Sequence, residues 1–297
     1  MPRVDIPTVI IPACNEETTI LPLLAGLAEG IERHRFQVIV ACNGCGDRTV
    51  ELVRRHHPDV TCLDIPTPSK TNAINRAEAL KPGFPRLYVD ADIEIDSAAV
   101  LRLINLLRSR STPTLVAPRA VPLTEKSSIT VKWFYSAWQK TIFFRTQGFG
   151  SGVYGLNLSA RQKFTEFPPI ISDDGFVRTL GSDVAVLVAE NALSRVQVPR
   201  GLRDLLAIKV RSKLGKRQLE QWVDGAVVKT TVLATQDNTQ EKSRTSRQPI
   251  FLTPPSMPEF LTYIGINLMA RVFAYWHAAR IQRYRWQRDD SSRQQVH

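Results

Sequence analysis

The sequence predicts an α/β fold, a mostly parallel sheet with helices on both faces, followed by a C-terminal helical tail. Two observations carry that reading. Through the first half of the chain, short apolar runs rich in β-branched residues alternate with segments of helical periodicity. The chain is also long enough, at 297 residues with 43% hydrophobic content, to bury a full core. Strand, helix, strand repeated in this way implies right-handed crossovers and a sheet covered on both sides.

The strands are expected over 8–12, 37–42, 60–65, 86–90 and 114–118, and the helices between them over 17–33, 48–57, 70–80 and 97–108. Each helix carries an apolar stripe, and most open on a polar or acidic residue. The second half is less regular. Residues 127–144 read as one aromatic-rich helix with Phe134, Trp138 and Ile142 on a single face, and a glycine-rich stretch follows over 148–155. A helical pattern opens at Asp174, and a strand pair is expected over 184–198. Residues 235–258 are polar and contain Pro249, Pro254, Pro255 and Pro258, the composition of a linker. The chain therefore divides into a main domain over 1–234, a linker over 235–258 and an amphipathic basic helix over 259–297.

The 39 Lys and Arg against 28 Asp and Glu leave a formal charge of +11, which favours polyanionic partners such as nucleotides, nucleic acid or anionic lipid without choosing among them. The amino terminus runs from Arg3 and Asp5 straight into an apolar strand, unlike a secretory signal. The apolar stretch 260–270 is interrupted by Arg271 and His277 before it reaches the roughly 20 residues needed to span a bilayer. A cytoplasmic protein without a transmembrane helix is expected. Cys42 and Cys45 form a lone CxxC with neither a second ligand pair for zinc nor a thioredoxin-like context, so small buried or turn residues are expected there.

Ligands of open α/β sheets bind at the carboxyl ends of the strands, where helix amino termini point their free N–H groups. Three polar clusters fall at such ends: Pro12-Ala13-Cys14-Asn15-Glu16-Glu17, Asn43-Gly44-Cys45-Gly46-Asp47-Arg48-Thr49, and Asp90-Ala91-Asp92. All three should open onto one crevice. The last is the sharpest, because the apolar run Leu87-Tyr88-Val89 delivers two carboxylates one residue apart, suited to a hard Mg²⁺ or Mn²⁺ ion that neutralises a diphosphate. Elsewhere such a pair is common in turns and helix caps.

In order along the chain, these segments resemble the family 2 glycosyltransferases, which have the GT-A fold. Residues 9–17 resemble the family's opening motif and 43–49 its second-strand motif. Lys70-Thr71-Asn72-Ala73-Ile74-Asn75 is similar to its KxxAxN pattern and Asp90-Ala91-Asp92 to its DxD. The glycines around 150–155 resemble the acceptor-side segment, and Ser172-Asp173-Asp174-Gly175 the acidic motif before the catalytic helix. The resemblance implies a metal-dependent, inverting transfer of sugar from a nucleoside diphosphate carrier to a saccharide or lipid-linked hydroxyl acceptor. It implies that Pro12, Ala13, Asn15 and Glu16 line the nucleoside pocket with Asn43, that Glu16 accepts from the ribose, and that Asp47 accepts from the base edge. Lys70 would lie near the base or diphosphate, Asp90 and Ala91 beside the ribose or metal-bound water, and Asp92 on the ion. Asp174 would be the general base. Asp173 would either raise its neighbour's pKa or cap the helix.

Two departures limit the resemblance. Asn43 stands where many members have an acid, leaving the nucleobase open. Gln218-Leu219-Glu220-Gln221-Trp222 resembles the QxxRW motif of processive synthases but has Gln221 for its arginine, which argues against processive synthesis. Arg211, Lys213, Lys216 and Arg217 either contact the pyrophosphate or form a solvated face. In the tail, Phe260, Ile264, Leu268, Val272 and Ala279 follow helical spacing. Arg271, Arg280, Arg283, Arg285 and Arg288 alternate there with Tyr275, Trp276, Tyr284 and Trp286. That pattern suits either an interfacial helix on an anionic membrane or a helix packed back on the domain with its arginines in water.

Two other readings compete. A sugar nucleotidyltransferase would share the sheet and acidic site but needs a glycine-rich phosphate loop after the first strand, where this chain has Asn15, Glu16 and Glu17. A non-enzymatic basic module binding membrane or nucleic acid rests on the net charge alone. The acidic crevice speaks against nucleic acid as a partner.

Overall fold

The structure, a computed structural model, describes residues 6–148, 150–233 and 249–277. The first half alternates as expected apart from the short extra strand β5: β1 (Thr8–Ala13), α1 (Ile20–Glu32), β2 (Gln37–Asn43), α2 (Thr49–His56), β3 (Thr61–Ile65), α3 (Lys70–Glu78), β4 (Arg86–Val89), β5 (Ile93–Glu94), α4 (Ser97–Arg108) and β6 (Thr114–Leu123). Then follow α5 (Ile129–Gln139), α6 (Ile142–Gln147), β7 (Val153–Leu156), α7 (Leu158–Arg161), α8 (Asp173–Val177), β8 (Ala185–Gln197), α9 (Leu202–Leu233) and α10 (Met257–His277).

Among the described residues the strands form one sheet in the order β3-β2-β1-β4-β7-β6-β8-β5. The block β3-β2-β1-β4 is parallel, as is the β6–β8 pair, while β7 runs antiparallel between β4 and β6. In β1, alternate residues face opposite sides. Val9, Ile11 and Ala13 join a core under α1 and α4 with Leu23, Leu27, Val100 and Leu103, whereas Ile10 joins a second core with Ile74, Tyr88, Tyr154 and Phe176. A strand buried on both faces reads as a continuous apolar run, which is why β1 was legible.

Two expectations are corrected. Residues 184–198 form one long strand rather than a pair: β8 runs parallel to β6 along its length, with a register shift that carries Pro118 opposite Ala189 and Arg119 opposite Leu193. The polar Glu190 and Asn191 are a bulge inside a strand, and polarity alone does not separate a bulge from a turn. The aromatic segment 127–144 is broken into α5 and α6, because Thr141 accepts from the Phe144 N–H to start a new helix. Residues 250–252 hydrogen-bond to the break, Ile142 N–H to the Ile250 carbonyl and Leu252 N–H to the Lys140 carbonyl.

The helix α10 packs on α5 and α9 through Tyr263, Ile266, Ala270 and Ala274. The stripe Phe260, Ile264, Leu268 and Val272 lies on its other side and is exposed, 59% in the case of Leu268. Ala279 and the arginines and aromatics beyond it lie outside the described residues, as do residues 235–248 of the expected linker. No helix among the described residues is long and apolar enough to cross a membrane.

Candidate active site

The loop after β1 and the loop after β2 are stitched together. Asn15 takes a positive φ of 52° and accepts from the Gly46 N–H through its side-chain oxygen, while its own N–H donates to the Cys45 sulfur at 3.3 Å. Asp47 uses both carboxylate oxygens: one accepts from the Thr49 N–H (3.0 Å) and hydroxyl (2.6 Å), the other from the Glu17 N–H (3.1 Å). It therefore caps α2 and ties it to the first loop. Gly44 (φ 61°) is required here, since a β-carbon would approach Pro68 to 2.7 Å.

Several residues of this region are interior. Pro12, Ala13 and Asn43 are buried, and the Asn43 amide donates to the Ala13 carbonyl at 2.8 Å, strapping β2 to β1, with its own oxygen unpaired. The Glu16 carboxylate is also nearly buried and accepts from the Thr19 hydroxyl at 2.7 Å, whereas Asn15 and Thr18 of this loop face solvent. A cavity of about 670 Å³ lies alongside, lined by Cys45, Asp47, Arg48, Glu51, Arg54 and Asp64. Of the CxxC, Cys42 is fully buried, its sulfur 4.0 Å from that of Cys62, and Cys45 sits in the turn.

The second part of the site is a charge cluster between strand ends and α8. Lys70 opens α3, whose N-cap Ser69 accepts from the Asn72 N–H. Its ammonium reaches Asp90 at 2.7 Å and Asp173 at 2.9 Å. Burial works against this lysine's charge, but Asp173 and Asp90 outweigh it and hold its pKa well above the usual range. Burial pushes Asp90 up to about 6, with Lys70 pulling it down and Asp92 and Asp173 adding to the rise. Asp90, Ala91 and Asp92 form the turn between β4 and β5, pinned where the Asp90 N–H donates to the Gly152 carbonyl at 2.8 Å. Ala91 is buried and Asp92 partly exposed.

The two aspartates of α8 differ sharply. Asp173 is 2% exposed and held by Lys70 and by the Tyr154 hydroxyl, which donates to it at 3.0 Å. Asp174 is 38% exposed, accepts from the Ser172 hydroxyl at 3.0 Å and lies 3.9 Å from the Arg178 guanidinium. The sequence singled out neither Tyr154 nor Arg178. Tyr154 was findable in principle, since it lies within the glycine-rich stretch and pairs directly with Tyr88 of β4, ring on ring at 4.8 Å.

Among the described residues there is no cluster of three or more metal-ligating side chains. The Asp90–Asp92 pair still suits Mg²⁺ or Mn²⁺, which bind through one or two carboxylates together with substrate phosphates rather than in an all-protein cage. The structure thus brings Asp47, Lys70, Asp90, Asp92, Asp173 and Asp174 to the carboxyl edge of one sheet. It makes Asp173 an interior ion-pair partner and Asp174 the accessible carboxylate.

The chain resembles several solved structures. A mannosyltransferase from Pyrobaculum calidifontis, in complex with GDP-Man and Mn²⁺, matches with a TM-score of 0.56 and 18% identity over 93% of this chain and 76% of that one. Glucosyl-3-phosphoglycerate synthase from Mycobacterium tuberculosis, in complex with Mn²⁺, UDP and glucosyl-3-phosphoglycerate, matches at 0.46 and 17% identity over 65% and 71%. Staphylococcus aureus TarS in complex with UDP matches at 0.49 and 16% over 69% and 64%. The first likeness establishes a shared GT-A fold. No curated protein sequence is significantly similar to the chain. Residues 8–162, just over half of the chain and including the loops after β1 and β2, α3 and the Asp90–Asp92 turn, match the family model for glycosyl transferase family 2, and the chain belongs to that family as a glycosyltransferase.

Proposed function

We propose that this glycosyltransferase is metal-dependent, inverting and non-processive, transferring a sugar from a nucleoside diphosphate sugar to a hydroxyl on a saccharide or lipid-linked acceptor. The observation that carries the proposal is the division of labour between Asp90–Asp92 and Asp174. One carboxylate pair sits at a strand end beside a half-buried lysine, and a separate accessible carboxylate approaches from α8. Bound at Asp92 and Asp90, a divalent cation supplies charge stabilisation for the departing diphosphate. The complex of the Pyrobaculum mannosyltransferase with GDP-Man and Mn²⁺ supports that cofactor.

The remaining roles belong to the chain's own residues. Asn15 and Asp47 border the nucleoside, with Pro12, Ala13, Asn43, Glu16 and Ala91 shaping the pocket from beneath. Lys70 orients Asp90 and neutralises Asp173, keeping negative charge off the diphosphate path. Asp174 takes the proton of the acceptor hydroxyl, a group it can meet because it is solvent-accessible. Residues 1–234 supply this machinery, 235–258 connect it to the tail, and the basic tail 259–297 holds the enzyme peripherally on an anionic, cytoplasmic membrane face. The exposed Phe260, Leu261, Ile264, Leu268 and Val272 support that placement.

Thermal stabilisation across a panel of nucleotide sugars, with and without Mn²⁺, tests the proposal directly, because a bound donor stabilises the folded state with its occupancy. A metal-dependent rise with one nucleoside diphosphate sugar is expected. No rise with any of them, at millimolar concentration, defeats it.

A further inference from the structure

Among the described residues, three cations gather along the seam between α5, α9 and α10 with no carboxylate paired to them, Lys209 and Lys213 half-buried and Arg271 exposed at its edge. Lys209 projects from α9 over an aromatic wall, its ammonium 4.9 Å from the ring centre of Phe134, 5.5 Å from Trp138 and 6.0 Å from Tyr135. One turn further along the same helix lies Lys213, which feels both Arg271 of α10 and Lys216. Among the described residues, Lys209, Lys213 and Arg271 form no ion pair, and the nearby Glu259 is committed to Lys140 and Ser136. Burial and mutual repulsion hold the Lys209 ammonium down to about 8 and lower Lys213 as well. Like charges gathered on a partly desolvated surface are costly unless an anion joins them. Aromatic faces offset only part of that cost.

The seam is continuous with the site described above. The Trp138 ring closes over Gly150, where a β-carbon would come within 2.7 Å of it, and Gly152 lies against Ile93 and Asp90 in the same manner. On its other face, α9 holds α8: the Gln218 side chain accepts from the Ile171 N–H at 2.9 Å, and Trp222 packs on Phe176. Lys213 and Gln218 are five residues apart, roughly 7.5 Å along the helix axis. Lys213 therefore stands about one helical turn and a half, and Lys209 about two and a half turns, from the residue of α9 that holds the segment presenting Asp174.

We infer that Lys209, Lys213 and Arg271 bind the phosphate of a phosphorylated acceptor, placing its hydroxyl between the Trp138 wall and Asp174. This rests on the transferase reading and adds the acceptor's chemical class, a phosphate ester. The ester is either soluble or carried on a lipid, and the exposed apolar face of α10 lies next to Arg271 for the second case.

The test is calorimetric titration of the full chain, saturated with Mn²⁺ and its nucleoside diphosphate, using inorganic phosphate, hexyl phosphate and hexanol. Co-sedimentation with phosphatidylcholine vesicles with and without phosphatidic acid completes it. Hexyl phosphate should bind and hexanol should not. The double variant Lys209→Met with Lys213→Gln should weaken hexyl phosphate by about tenfold or more. Nucleotide affinity should stay within about twofold, and the thermal midpoint should not fall. Equal binding of inorganic and hexyl phosphate assigns the site to a soluble ester. Tighter binding of hexyl phosphate, with lysine-dependent recruitment to phosphatidic acid, assigns it to a lipid-borne one. Hexyl phosphate binding that is absent, or unchanged in the double variant, overturns the inference. Loss of nucleotide binding by the wild-type chain instead sinks the transferase reading and leaves the phosphate titration, run without nucleotide, still decisive for the cation seam.

Discussion

Lys70 and Asp173, 103 positions apart in sequence, form an ion pair at 2.9 Å that locks the start of α3 to the start of α8. Because Asp173 is 2% exposed and also accepts from Tyr154, its carboxylate is part of the interior, whereas its neighbour Asp174 is open. The adjacent aspartates should therefore separate experimentally. Asp173→Asn should lower folding stability by roughly 2 to 3 kcal/mol, since Lys70 loses one of two partners but keeps Asp90. Asp174→Asn should leave stability nearly unchanged and lower turnover by about 10²- to 10⁴-fold, with donor affinity within a few-fold. Urea melts beside donor-binding and turnover measurements decide it. Unchanged turnover in Asp174→Asn removes it as the base.

Asp92 is the second carboxylate of the strand-end pair, partly exposed on the turn beside Asp90. Asp92→Asn should abolish transfer while the melting temperature of the cation-free protein holds, and excess chelator should do the same to the wild-type chain until Mn²⁺ or Mg²⁺ is restored. Full activity in chelator would falsify the metal role of both Asp90 and Asp92.

Gly152 sits at φ 65° with its α-carbon facing Ile93 and Asp90. Gly152→Ala adds a methyl in a strained conformation and pushes it 2.5 Å from the Ile93 side chain, which displaces the turn that carries Asp90. Turnover should fall roughly 10- to 100-fold, as misplacement of reacting groups by an ångström does. Alanine at the exposed Gly46, where a β-carbon meets only the Asn15 side chain at 3.9 Å, is the control expected to stay active. Equal activity in both variants refutes the argument.

Lys209 gives a pH signature of its own. Its folded-state value is lowered to about 8, chiefly by burial, from the 10.5 of a free lysine. Below pH 8 it is charged in both states and the burial cost is fully present. Between about 8 and 10.5 the unfolded chain binds more protons, so the cost shrinks as pH rises. The stability gained by Lys209→Met over the wild-type chain should therefore be largest below pH 8 and fade towards pH 10.5. Thermal midpoints of the pair across that range test this, and a difference that grows with pH contradicts it.

On α10, the outward Leu268 and Val272 should anchor the chain to anionic vesicles, while the inward Ile266 and Ala270 hold the helix to α5 and α9. Leu268→Glu with Val272→Glu should reduce co-sedimentation with anionic vesicles without lowering the melting temperature. Unaltered co-sedimentation removes this face from membrane binding. Deleting the chain from Pro258 onward is a poorer test, because it also uncovers Phe134 and Leu205 and should reduce solubility.

The sequence by itself determined the positions of β1 to β4, their parallel run and the helices between them, because inner strands buried on both faces must be largely apolar and amphipathic crossovers must show a 3.6-residue period. The order β3-β2-β1-β4 came from the structure. It also located the polar strand ends, since an open sheet leaves its carboxyl edge for ligands. Only the tertiary structure decided what those residues do to one another. Local pattern carries no record of a lysine in α3 reaching an aspartate in α8, of Tyr154 closing over that pair, or of Asn43 turning inward to hold Ala13. Nor does it separate the Glu190–Asn191 bulge from a turn, or say which side of α10 meets the domain, since a helix apolar on two sides satisfies the same periodicity either way. Those choices follow from contacts between distant segments, and the gathering of Lys209, Lys213 and Arg271 against an aromatic wall is the clearest of them. Each residue alone reads as a solvated charge, and only packing of α9 against α5 and α10 removes part of the water around Lys209 and Lys213.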